Sequence, residues 1–187
     1  MKRIAIHGSL QSGRSFLTQA LAAMTGLDFI IQLPYSTVAY KYNLDSDIEK
    51  CHWPDSFVYC LGAFTQRILA EKRLDDLFIS DGGVFNELSW IKCRFPHIDL
   101  IYERSMITSF EKVVVDYTLK EYDLILHVDS NSASDAIDQC LKQLYLNHRI
   151  NHQLIDGSNP EEALNKMAEC IQAKPVLSAK HALLKSQ

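Results

Sequence analysis

The sequence has no excess of basic residues, no CxxC pair, no apolar run of membrane-spanning length, no internal repeat and no low-complexity segment. Each absence removes a class of function. With 19 Lys and Arg against 23 Asp and Glu, the formal charge of −4 gives no support to duplex nucleic-acid binding through a broadly basic surface. A local basic pocket stays open. The five cysteines (Cys51, Cys60, Cys93, Cys140, Cys170) are scattered and odd in number, which argues against a zinc site or a disulfide framework and for reduced, buried thiols. The apolar run after Met1-Lys2-Arg3 stops at His7-Gly8, too short for a signal peptide, and no other run is long enough to span a membrane. The expected location is cytoplasmic. At 187 residues the chain is long enough for one domain with a full core.

What is present is concentrated near the start. Ile4-Ala5-Ile6 reads as a buried strand, Gly8-Ser-Leu-Gln-Ser-Gly13-Arg14-Ser15 as a loop, and Arg14 to Met24 as a helix. Glycines let such a loop curl its N–H groups around an anion, and the following helix aims its positive dipole end at the same point. The pattern is that of a phosphate-binding loop, in which a lysine follows the second glycine and a Ser/Thr hydroxyl ligates Mg²⁺. Here Arg14 stands at the lysine position and Ser15 at the metal position. Arginine keeps the charge but is bulkier and grips phosphate as a fork. A Gly/Ser-rich turn that merely caps a helix is the plainer reading of the same residues.

Downstream, apolar periodicity predicts alternating strands and helices. Leu27 to Leu33 reads as a short buried strand ended by Pro34, followed by an aromatic loop with Tyr35, Tyr40 and Tyr42. Those tyrosines suit either base stacking or packing at the loop–core boundary. A long helix is expected over 55–73, with Gln66, Arg67, Glu71 and Lys72 on a solvated face, from which Arg67 could reach a substrate phosphate. Leu77-Phe-Ile-Ser-Asp81-Gly82-Gly83 puts a carboxylate at the carboxyl end of a buried strand, where open α/β sheets bind ligands. Asp81 there would hold Mg²⁺ or orient the attacking group, or else cap the helix predicted over 84–94. Helices over 105–120, 131–147 and 160–172 and strands over 122–129 and 152–156 complete the pattern. The domain is expected to span 1–172, with 173–187 a short helix or tail. The fold class is α/β, a doubly wound parallel sheet.

On the loop Gly8 to Ser15, the strand end Phe-Ile-Ser-Asp81-Gly-Gly, and the stretches Tyr122-Asp-Leu-Ile-Leu-His-Val and Leu154-Ile-Asp-Gly157 with Pro160-Glu-Glu, the chain resembles the P-loop kinases of nucleosides and nucleotides. The AAA-type domains related to the nicotinamide riboside kinase part of NadR resemble it in particular. The resemblance implies a three-layer P-loop NTPase fold with five parallel strands in the order 2-3-1-4-5 and a segment after Asp129 closing over the nucleotide. It implies ATP or GTP with Mg²⁺ as cofactors and a small nucleoside-like or nucleotide acceptor. The implied roles are phosphate binding by Gly8, Ser9, Ser12, Gly13, Arg14, Ser15 and Phe16, metal binding by Ser15 and Asp81, catalysis by Arg14, Asp81 and Arg149, and acceptor binding by Tyr35, Arg67 and Arg104.

The chain departs from those kinases at several places. They have Lys for Arg14, an Asp-Arg pair for Asp81-Gly82, an acidic residue where this chain has Gln32-Leu33-Pro34, and arginines in the lid, where this chain has only Lys142 and Arg149 as full cations. Glu103-Arg104-Ser105 looks like a deoxynucleoside-kinase motif, but in those enzymes it follows the strand that Asp81 ends here. Three readings result: Mg²⁺-assisted phosphoryl transfer from ATP, a degenerate kinase fold that binds a nucleotide without turnover as a sensor or interaction partner, or a fold that binds no nucleotide and serves only as a scaffold. None calls for a membrane or extended nucleic acid, and a homodimer stays open.

Overall fold

The structure, a computed structural model, describes residues 3–32, 35–45, 47, 50–74, 77–132 and 135–172. Its five strands are β1 Arg3–His7, β2 Asp28–Ile30, β3 Phe78–Asp81, β4 Leu124–Asp129 and β5 Gln153–Asp156. Its helices are α1 Arg14–Thr25, α2 Tyr35–Tyr42, α3 Trp53–Glu71, α4 Gly83–Arg94, α5 Ile101–Glu121, α6 Ala136–His148 and α7 Pro160–Gln172. All strands are parallel and the sheet order is β2-β3-β1-β4-β5, as the resemblance implies.

Alternation along β1 explains the layers. Successive side chains point to opposite faces, so Ile4 and Ile6 pack with Leu17, Leu21, Ala163 and Met167 of α1 and α7. Ala5 turns the other way, into a larger core built from Trp53, Phe57, Phe64, Phe85, Leu88, Phe110 and Tyr145 of α3 to α6. Each fully buried aliphatic side chain contributes about 1.5–3 kcal/mol. Helix ends follow local chemistry. α1 stops at Gly26, which is left-handed and bonds back to Ala22, and the Asp135 carboxylate accepts from the Asp138 amide to start α6. α7 begins at Pro160, whose missing N–H costs nothing in a first turn.

Five expectations change. β2 is confined to Asp28–Ile30 at the edge of the sheet and is largely exposed rather than buried. α6 starts at Ala136 rather than at Asn131. The aromatic stretch is a helix, not a loop, because Val38 and Ala39 are buried and Tyr42 lies on Gly62 of α3, where a Cβ would come within 2.5 Å of the ring. Tyr40 is exposed. Arg67 and Glu71 are not on a solvated face but are buried in the core, each with several partners. α5 starts earlier than expected, at Ile101. Leu33 and Pro34, expected to end the second strand, and the tail at 173–187 lie outside the described residues.

Candidate functional site

β1 ends at His7, and the chain turns through Gly8 and Ser9 into a single 3-10 turn at Leu10–Ser12 before α1 begins at Arg14. The register of β1 with β3 pairs Ile6 with Asp81, which sets the acidic strand end beside the loop at the carboxyl edge of the sheet. The Gly82 amide donates 2.7 Å to the Ile6 carbonyl and closes the arrangement.

The loop has features that suit an anion. No side chain caps α1 and no acidic residue lies in its first turn, so the first amides of the helix have no competing acceptor there. Ser9 Oγ is buried without a hydrogen-bond partner, a donor that a bound oxygen would satisfy. Gly13 lies in open space. Ser12 is committed, its hydroxyl donating 2.8 Å and its backbone N–H 3.3 Å to the Ser9 carbonyl. Ser15 is partly exposed and Phe16 is 62% exposed, on the first turn of α1.

Arg14 is where the arrangement departs from the expectation. Its side chain is 0% exposed and turns away from the loop opening into the protein. Nε donates 2.7 Å to Asp81 Oδ1, Nη1 2.6 Å to the Gly8 carbonyl, and Nη2 to Gln32 Oε1. Burial draws the Arg14 pKa down, and the charge of Asp81 and the hydrogen bond to it oppose that. Asp81, only 3% exposed, is thereby neutralised. Gly82 makes room for this pair: a Cβ there would stand 3.3 Å from the Arg14 guanidinium carbon. An arginine at 14 and a glycine at 82 are therefore two halves of one packing solution. The Gly8 carbonyl takes a second donor, Asn86 Nδ2 of α4, at 2.7 Å.

The other candidates are placed elsewhere or spoken for. Arg67 donates to Glu87 Oε1 at 2.9 Å, Ser80 Oγ at 3.0 Å and the Asp81 carbonyl at 2.8 Å. Burial would lower its pKa, but Glu87, Tyr122 and Glu71 outweigh that and keep it charged. Glu71 in turn accepts from Ser80, Tyr117 and Tyr122. Arg67 thus acts as a structural counter-ion behind the strand end. Arg104 is exposed, bonds the Ile98 carbonyl and lines a cavity of about 380 Å³ with Phe95, His97 and Glu111, with no loop residue in its wall. Arg149 ends α6 in a left-handed turn just before β5, so parallel topology puts it at the amino edge of the sheet, opposite the loop. Lys142 is paired with Asp129 and Asp138. Tyr35 opens α2, and its side chain lies outside the described residues.

Asn86 is the residue that sequence reasoning missed, while Gln32, noted there only as a departure from the kinases, holds Arg14. Asn86 stands three residues after Gly83 in α4, one turn from the strand end, and only the tertiary register shows that it meets Gly8.

No protein-family model matches the chain, and no curated protein matches it in sequence. Solved structures do. Deoxyadenosine kinase from M. mycoides with bound dCTP has a TM-score of 0.65 at 13% identity, covering 92% of this chain and 100% of that one. Thymidylate kinase from Candida albicans has a TM-score of 0.61 at 14% identity, covering 91% of each chain. Shikimate kinase from Aquifex aeolicus has a TM-score of 0.56 at 13% identity, covering 91% of this chain and 96% of that one. The fold is that of the P-loop kinases. In this chain the buried Arg14–Asp81 pair lies below the loop. None of the helices among the described residues is long and apolar enough to cross a membrane.

Proposed function

We propose that this protein binds the polyphosphate of a nucleotide, ATP or GTP, at Gly8 to Ser15 and holds it without transferring it, with Arg14 as a fixed internal counter-ion. The observation that carries this reading is the buried Arg14–Asp81 ion pair. Phosphoryl transfer needs cations aimed at the migrating group and, as a rule, Mg²⁺ held by a free carboxylate. Here the cation at the lysine position and the carboxylate at the strand end cancel each other. The residues present fit a phosphate: the orphaned Ser9 hydroxyl and the uncapped first turn of α1 supply donors. They do not fit Mg²⁺ at Asp81, because a divalent cation there would face the Arg14 guanidinium across a shared carboxylate. Ser15 alone is not a metal site.

The kinase reading requires the pair to part, so that Arg14 swings toward the phosphates and Asp81 is released. The test is nucleotide binding together with ADP release, with and without Mg²⁺, over a panel of nucleosides and nucleotides. The expected result is binding without turnover in the wild type and loss of binding in Gly13→Asp, which puts a carboxylate into the anion site. ADP release by the wild type above that of Gly13→Asp would overturn the non-transferring reading. An affinity unchanged by Gly13→Asp would remove the site from this loop.

A further inference from the structure

Two of the scattered cysteines meet. Cys93 lies in the last turn of α4, and its thiol donates 3.1 Å to the carbonyl of Ala136 at the start of α6. Cys140 is one helical turn on from Ala136, on the same strip of α6. In an α-helix the Ala136 carbonyl also accepts from the Cys140 amide, so the Cys93 thiol sits on the turn of α6 that Cys140 closes, and the two thiols are neighbours across the α4–α6 interface. Both residues are only half-buried, so a small solute can approach them. Cys60 is different: it is fully buried, its thiol bonds the Glu87 carbonyl, and burial raises its pKa.

The two sulfurs have different electrostatic surroundings. The neighbouring Cys93 thiol and the charge of Lys92 draw Cys140 down against burial, while Cys93 is pushed up and its S–H is held by the Ala136 carbonyl. The thiolate is the reactive form, and the Cys93 thiol keeps its proton on that carbonyl, so Cys140 attacks and Cys93 resolves.

We propose that Cys93 and Cys140 are an oxidation site at which a peroxide forms a reversible disulfide tying α4 to α6. In the first step the Cys140 thiolate attacks one peroxide oxygen, the O–O bond breaks, and a sulfenic acid forms as hydroxide leaves and takes a proton. In the second step the Cys93 sulfur displaces the sulfenic hydroxyl, which leaves as water with the Cys93 proton. Two thiols and one hydrogen peroxide become one disulfide and two waters, and the sulfurs supply both electrons. The bond joins the helices that flank the root of the phosphate loop. The His7 ring, immediately before Gly8, lies edge-on to Phe85 of α4 with centroids 5.7 Å apart and stacks on Tyr145 of α6 at 5.9 Å.

The test uses the full wild-type chain with hydrogen peroxide at low molar excess, followed by thiol counting, intact mass and peptide mapping. The expected result is the loss of two thiols and two mass units, a cross-link mapping to Cys93 and Cys140, a higher Tm, and reversal by dithiothreitol. Cys93→Ser is expected to stop at a sulfenic acid on Cys140 that dimedone traps, and Cys140→Ser to leave Cys93 unlabelled. Retention of all thiols by the wild type, a cross-link through Cys51, Cys60 or Cys170, or dimedone on Cys93 would overturn the proposal. The wild-type mass and map do not depend on whether either variant folds.

Discussion

Gly83 lies so close against His7 that a Cβ on it would stand 2.2 Å from the ring nitrogen Nε2. Its φ of +47° is also left-handed. The turn from β3 into α4 is thereby pressed onto the end of β1, just before the loop. Gly83→Ala meets both penalties: about 1–2 kcal/mol for the left-handed backbone and about 1–3 kcal/mol for overpacking a ring that cannot move away. Urea denaturation is expected to show a loss in that combined range, and a loss under 1 kcal/mol would mean that the contact relaxes freely.

Asp81→Asn separates folding from binding. It leaves the Arg14 guanidinium buried without its carboxylate, which costs about 3–5 kcal/mol in stability. It also turns a neutral pair beneath the loop into a net positive charge. Under conditions where the variant is still folded, its affinity for tripolyphosphate is expected to rise, and more so at low ionic strength. Titration calorimetry at two salt concentrations checks this, and an affinity unchanged at both would place the anion away from the pair.

Arg67 is buried with Glu87 and bonds both Ser80 and the Asp81 carbonyl. Arg67→Ala is therefore expected to cost about 3–5 kcal/mol, because Glu87 and Glu71 lose their buried cation. At temperatures where it remains folded, nucleotide affinity should stay within about twofold of wild type. A large loss of affinity with stability intact would instead return Arg67 to the ligand.

Stability is expected to fall in mild acid. Burial holds the His7 pKa well below its ordinary value of about 6.5, with further lowering by the charges of His127, Arg14, Arg67 and His152. His127 is also lowered, by burial working against Asp138. The unfolded chain thus binds protons that the folded chain refuses. Stability is flat above about pH 6.5 and drops below it, by up to about 1.4 kcal/mol per pH unit for each such histidine. Denaturation curves between pH 5 and 8 measure the slope. His7→Asn should flatten it, and an unchanged slope would assign the titration to other groups.

The loop position, the strands and most of the helices were legible in the sequence, because they rest on period and on glycine placement, both local, whereas the sheet order is not local and came only with the resemblance to the P-loop kinases. β1 announces itself through Ile4 and Ile6, and α7 through Pro160. The direction of the Arg14 side chain was not legible: whether a guanidinium points at a ligand or at Asp81 depends on the β1–β3 register and on the space above Gly82. The role of Arg67 was misread for a related reason. A charge on one helical face looks solvated until the acid that buries it arrives, and Glu87 lies on a different helix. Cys93 and Cys140 form no sequence motif, since only the packing of α4 on α6 brings them together.

Arg14 draws its partners from Gly8, Gln32 and Asp81, which stand at or just beyond the ends of three different strands. The loop Gly8 to Ser15, held by Arg14, therefore cannot form locally: it exists only once β1, β2 and β3 have docked. Its hydrogen exchange should follow opening of the whole sheet rather than fraying of the loop. An anion that binds it would raise the melting temperature of the entire domain, by an amount set by ligand concentration relative to Kd.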